Sequence, residues 1–312
     1  MKTLVIGLGL TLALLGQQAS ATSKPKKERT CSHTATVAYT ACVYDVLDSF
    51  WISTGKCKNT ADANERAQCI SELKSLPRDG REECSDQQEA RRDLCEDLGE
   101  APYDPPFEPS LFVNPNDIGG SVAPNTWYPL TAGQTRLFRS GNEEITITVT
   151  DKVELISGVP CRVVTDTVRI NGEIEEDTTD WFAQDIHGNV WYCGESTAEY
   201  ADGRPVNVDG SFKAGENGAK PGIVMKAAPM LEDTYRQEFD LGNAEDVAEV
   251  ISLNSSATVP AASCLNTCLV TEDTTPLSPD ALENKYYKPG VGVILEIKPA
   301  TGQRLELIEM SN

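Results

Sequence analysis

The chain has 312 residues, a formal net charge of −21, ten cysteines and only two histidines. So acidic a surface repels phosphate backbones, which argues against a nucleic-acid partner, and the shortage of histidine disfavours transition-metal sites and histidine-activated nucleophiles. The length is enough for two domains, and charge divides them: residues 22–100 carry 12 basic and 15 acidic side chains, whereas residues 101–312 carry 14 and 33.

Residues 1–21 read "MKTLVIGLGLTLALLGQQASA". Lys2 precedes an apolar run from Leu4 to Leu15, and Ala19-Ser20-Ala21 fits the small-x-small cleavage rule, the pattern of a secretory signal peptide cut after Ala21. The run is shorter than the roughly 20 residues of a spanning helix. The mature chain is expected to be secreted, periplasmic or extracellular, without a membrane span. All ten cysteines lie beyond this leader, and an even number in an exported chain reads as disulfides. No CxxC pair or Cys/His cluster offers a zinc site.

From Thr30 to Leu98 the pattern is helical, with breaks at "STGK" (53–56) and "LPRDG" (76–80) and plausible N-caps at Thr60 and Asp79. A disulfide-linked three-helix antiparallel bundle is expected over residues 22–100. Its cysteines fall two per helical segment, Cys31 and Cys42, Cys57 and Cys69, Cys84 and Cys95. Partners eleven or twelve residues apart lie about 16 to 18 Å apart along one straight helix, too far to bridge, so the bonds must join helices. An up-down-up order favours Cys42 with Cys69, Cys31 with Cys84 and Cys57 with Cys95. The bundle has few apolar positions, so the staples have a stability role of their own. Phe50-Trp51 is its best surface for a protein partner.

A proline-rich stretch, 101–120, reads as an extended linker. Residues 121–312 then break into about ten short alternating runs, an antiparallel β-domain that is either a sandwich or an open barrel. "EITITVT" sets Ile145, Ile147 and Val149 on one face, and Asn171-Gly172 marks a tight hairpin. Cys161 is expected to pair with Cys193, and Cys264 with Cys268 across a small loop. The segments "NTWYPLTAGQTRLF", "DWFAQDIHGNVWYCGE", "PMLEDTYRQEF" and "YYKPGVGVILEI" resemble a group of exported bacterial β-domain proteins of unassigned function. Members carry an opening Phe/Tyr-Pro-Leu-x-x-Gly, an Asp-Trp-Tyr-Ala-Gln-Asp hairpin and a closing Tyr-Tyr-x-Pro-Gly-Val-Gly. The resemblance spans most of residues 111–309 and implies a secreted antiparallel β-domain without implying a reaction. Phe182 stands where those proteins usually have Tyr, and Asn284 where a His is often seen.

The densest stretch of chemistry is "EEDTTDWFAQDIHGNVWYCGE" (175–195), with six acids, His187 and two tryptophans. His187 lies in a turn, and no Gly-x-Ser-x-Gly elbow accompanies it. Alternation puts Asp180 on one face with Phe182 and Gln184, and Asp185 on the other with Trp181 and Ala183. A catalytic carboxylate pair would therefore need an acid from another strand, such as Glu238 or Glu283. No loop has calcium-binding spacing, although acidic turns such as "EEDTTD" could hold that ion weakly; no other cofactor is expected. Aromatic residues on the strands could line a cavity, and the expected ligand contacts are Asp180, Gln184, Arg236, Tyr286 and Tyr287. The leading expectation is a non-catalytic binding or scaffold protein with a small apolar or glycan ligand. The alternative is a histidine-independent hydrolase, acting on glycans through paired carboxylates.

Overall fold

The computed structural model describes residues 29–311; the leader expected at 1–21 lies outside them. Three helices come first, α1 (Thr30–Lys58), α2 (Ala63–Glu72) and α3 (Leu76–Leu98). Both sequence breaks proved to be helical. Gly55 continues α1. Pro77 sits in the first turn of α3, where its missing N–H is harmless, and Gly80 is a contact point: a Cβ there would come within 2.7 Å of the Val46 side chain on α1. Glycine lets α1 and α3 approach closely. The N-cap of α2 is Asp62 rather than Thr60, accepting from the backbone N–H of Asn64 at 2.8 Å and Glu65 at 2.9 Å. Asp79 lies inside α3.

The expected pairings within the helical region are corrected. Because α2 is only a short connector, the long helices α1 and α3 run antiparallel, and the bonds are Cys31–Cys95, Cys42–Cys84 and Cys57–Cys69. Cys31 and Cys42 are eleven residues apart, as are Cys84 and Cys95. Eleven residues make about three full turns, which returns each pair to one helix face and forms two rungs of a ladder. The third bond clips α2 to the end of α1. Phe50 and Trp51 meet edge to face at 5.1 Å, with Trp51 exposed.

The proline-rich segment is extended only in part, with 3-10 turns at Pro109–Leu111 and Pro115–Asp117, and it is bound to the β-domain. Tyr103 donates to Pro221 O at 2.9 Å, Val113 N–H donates to Gln184 O at 3.0 Å, and Phe107, Leu111 and Phe112 cover Trp181, Ala183 and Cys193. The strands are β1 (Thr135–Ser140), β2 (Glu143–Ile156), β3 (Val159–Ile170), β4 (Glu173–Gln184), β5 (Val190–Ala201), β6 (Arg204–Asn207), β7 (Phe212–Lys213), β8 (Lys220–Met225), β9 (Thr234–Arg236), β10 (Glu238–Phe239), β11 (Val247–Val259), β12 (Ala262–Thr274), β13 (Leu282–Lys288), β14 (Gly292–Lys298) and β15 (Gln303–Ser311). Each pairs antiparallel with its neighbours. At the hairpin between β3 and β4, Asn171 and Gly172 both take positive φ, 55° and 88°, as a type I′ turn requires.

Thirteen strands follow one hydrogen-bonded path, β10-β8-β5-β4-β3-β2-β1-β15-β14-β13-β12-β11-β9. Its two ends are consecutive in the chain, separated only by Gln237. β9 pairs with β11 and β10 with β8, so residues 234–239 hold both edges and nearly close the sheet into a barrel. Gly222 on β8 permits this seam, since a Cβ there would lie 2.1 Å from the carbonyl carbon of Gln237. Cys161–Cys193 links β3 to β5, the two neighbours of β4, and Cys264–Cys268 closes a loop within β12. Residues Ile118, Leu130, Trp127 and Tyr128 pack into the barrel core beside Val149, Val164, Phe182 and Leu269.

Candidate functional site: the acidic lumen

Alternation turns every second side chain of each strand toward the barrel interior. There they enclose a cavity of about 300 Å³, lined by Asp166, Asp180, Glu195, Glu238, Asp246 and Glu296 together with Arg136 and Lys285. Six carboxyl groups face two cations. Aromatic rings form part of the wall: Phe182 and Tyr192 stack at 4.7 Å with an interplanar angle of 11°, and Tyr128 tilts against Phe182 at 5.3 Å.

The most ordered part of the lumen is a cross-strand pair. Asp180 on β4 is directly opposite Glu195 on β5, and the Tyr192 hydroxyl bridges them, with a very short contact to Asp180 Oδ1 and one of 3.0 Å to Glu195 Oε2. Tyr192 and Glu195 are three residues apart and should face opposite ways on a regular strand. The β-bulge between their pairings brings them to the same side. Gly194 makes the bulge feasible: its φ is 141°, and an added Cβ would lie 2.3 Å from Phe212 O on the antiparallel partner strand β7. A glycine inside a strand pattern was the available signal for Glu195.

Burial and mutual repulsion set the protonation of this wall. Burial raises Asp180 to about 7, opposed by the Tyr192 hydrogen bond. Burial, then the neighbouring Asp180, raises Glu195 to about 8. Asp166 and Glu238 are driven well above the ordinary carboxylate range, first by burial and then by Asp180 and Asp246 respectively. The Asp166 Oδ1 atom is buried without a hydrogen-bond partner. Across the lumen, Lys285 pairs with Asp273 at 3.0 Å, and Asp273 also accepts from Gln237 at 3.2 Å. Burial lowers Lys285, but Asp273 and Glu296 outweigh it and hold the ammonium charged. Glu296 is raised to about 6 by burial, with Lys285 acting against the shift. Burial thus favours the protonated form of the acids on this wall, and the Tyr192 hydroxyl links Asp180 to Glu195.

Of the five expected contacts, the structure brings Asp180 and Tyr287 to this lumen and sends three elsewhere. Gln184 is a structural clamp, accepting from Asn125 N–H at 2.9 Å and donating to Ala123 O at 2.9 Å. Tyr286 faces away from Tyr287 and packs against the cluster containing Phe138, Ile294 and Leu307. Arg236 lines a different cavity, between helices and barrel. Of the two partner acids suggested for a carboxylate pair, Glu238 reaches the lumen, whereas Glu283 bonds Lys298 at 3.4 Å.

Asp185 organises the "DIHGN" turn: it accepts from His187 N–H at 2.8 Å, Asn189 N–H at 2.9 Å, Asn189 Nδ2 at 2.7 Å and Trp191 Nε1 at 2.9 Å. His187 is exposed on that turn. Among the described residues, no group of three or more His, Cys, Asp or Glu side chains is placed to hold a metal ion. The lumen acids are spread along the wall.

No protein-family model and no curated protein matches this chain. A search of solved structures finds likeness to "a putative lipoprotein from Parabacteroides distasonis ATCC 8503", at 13% identity, with 61% of this chain and 100% of that chain covered and a TM-score of 0.32. Likeness at that level carries no inference about function.

Proposed function

We propose that this is an exported binding protein of the periplasm or cell surface whose barrel lumen holds a small organic cation, such as an amine, without turning it over. The observation that carries the reading is the imbalance of six carboxyls against two cations in one cavity. Burying so many acids is unfavourable unless they take up protons or a positive partner. A bound ammonium group would supply that partner, and the stacked Phe182 and Tyr192 rings offer it a π-face. The charged lining favours a polar ligand over the apolar one expected from the aromatic content. Five disulfides support an oxidising compartment.

Calorimetric titration with a panel of mono- and diamines tests this. Affinity is expected to increase from pH 6 to pH 8, with proton release, because an ammonium must displace protons from Asp180 and Glu195. Asp180→Asn should weaken binding about ten-fold or more. Amines that show no saturable binding at either pH would overturn the reading.

One observation favours a second reading, hydrolysis without histidine. Asp180 and Glu195 share a phenol hydroxyl and hold a proton near neutral pH, the requirement for a carboxylic general acid beside a second carboxyl. Turnover of any member of a glycan panel that disappears in both Asp180→Asn and Glu195→Gln would establish it in place of simple binding.

A further inference from the structure

A second cavity, of about 430 Å³, lies between the helices and the barrel. Ala35 and Leu98 contribute apolar wall from the helices, Phe239 and Leu241 from the barrel side, and two arginines face each other's charge, Arg91 on α3 and Arg236 on β9. Arg91 is accounted for by packing. It grips Glu245 through Nε to Oε2 at 2.9 Å and Nη2 to Oε1 at 2.7 Å, both side chains being almost wholly buried.

Arg236 has no such account. It is 8% exposed, and its guanidinium lies over the rings of Phe239 at 4.6 Å and Tyr103 at 5.6 Å. It makes no ion pair within the described residues, and its Nη1 is buried with no hydrogen-bond partner. Arg91 Nη1 is orphaned in the same way. Glu245, the acid that acts on Arg236, is already occupied by Arg91 and by Gly242 N–H at 2.7 Å. Asp240, also on the cavity wall, accepts from Asn243 at 3.1 Å. The wall thus carries two guanidiniums and two acids, and neither acid forms an ion pair with Arg236: Glu245 is held by Arg91 and Asp240 by Asn243. A buried, unpaired cation is costly, and its planar fork matches a carboxylate or a phosphate.

We propose that this cavity binds an organic anion with an apolar body: the anionic group rests on Arg236, with Arg91 Nη1 as a second donor, and the body lies against Leu98, Phe239 and Leu241. The site is separate from the lumen and takes ligands of opposite charge, so each proposal can fail without the other.

Titrating the disulfide-bonded protein with octanoate, octyl phosphate, inorganic phosphate and octanol tests it. Octanoate or octyl phosphate is expected to bind saturably, the tighter of the two identifying the headgroup, with octanol and inorganic phosphate about ten-fold weaker or more. Arg236→Met keeps bulk against Phe239 and removes the charge; it should weaken the amphiphile about ten-fold or more while leaving the ligand-free melting temperature unchanged or raised. In the wild-type protein the bound amphiphile should shift the ring resonances of Tyr103 and Phe239, a readout that needs no variant. The proposal is overturned by absence of saturable binding up to ~10 mM, by octanol binding as tightly as the anions, by undiminished affinity in Arg236→Met, or by resonance shifts confined to the lumen.

Discussion

Asp180 and Glu195 would each be unremarkable acids on an exposed strand; placed opposite one another behind a barrel wall, they become proton reservoirs. Their folded pKa values, about 7 and about 8, lie above the ordinary 3.8 and 4.5. The folded state therefore binds more protons than the unfolded state between those limits, and stability must fall as pH rises. The contribution is fully present below about pH 4 and is lost as pH climbs through 7 and 8. Urea denaturation across this window should show the midpoint declining with pH, and Asp180→Asn with Glu195→Gln should flatten the decline; a wild-type midpoint that rises from pH 5 to 8 would contradict the protonation scheme. Asp180 was legible in the sequence because strand alternation is a local rule. Glu195 was not, because the bulge at Gly194 reverses that rule for one residue. Gly194→Ala should cost about 2 to 4 kcal/mol, measured by denaturation, since both its φ and the contact with Phe212 O exclude a side chain.

Helix and strand boundaries responded to packing in ways that propensity did not anticipate. Gly55 and Gly80 are residues that weaken helices, yet α1 and α3 run through them, while Pro77 sits in the first turn of α3, where it is tolerated. Disulfides and the close approach at Val46 supply the tertiary stabilisation that overrides the local preference. Because α2 is only a short connector, α3 returns antiparallel to α1, and that overturns the expected cysteine pairing. Peptide mapping of the oxidised protein should recover Cys31–Cys95 and Cys42–Cys84, and replacing Cys42 and Cys84 together by serine should cost about 2 to 4 kcal/mol of stability, seen as early loss of helical circular dichroism. The strand elements were more legible, because period two and the Asn171-Gly172 turn are local. The barrel seam was not. Its dependence on a bare backbone at Gly222 predicts that Gly222→Ala destabilises the β-domain by about 3 kcal/mol.

At the scale of the molecule, the helical region and the barrel are joined by a buried ion pair, Arg91 with Glu245. Its loss should be asymmetric. Arg91→Ala strands a desolvated carboxylate and is expected to cost about 3 to 5 kcal/mol, whereas replacing both residues by apolar ones of similar volume should cost far less. Hydrogen exchange on α3 and on the start of β11 would report whether the two regions loosen together in the single variant. The same junction creates the second cavity, which neither region encloses alone.

The sequence by itself determined what neighbours along a chain can encode: the leader pattern, an even set of ten cysteines, the change from helical to alternating periodicity, and the face on which Asp180 lies. Only the tertiary structure decided which cysteines meet, that residues 234–239 close the sheet, and that acids from β3, β4, β5, β10 and β14, with Asp246 before β11, share one lumen. The physical reason is that periodicity is set by the turn of a single helix or strand, whereas convergence is set by closure. Residues as distant as Asp166 and Glu296 become neighbours in charge only when the last strands return beside the first and burial weakens the screening between them.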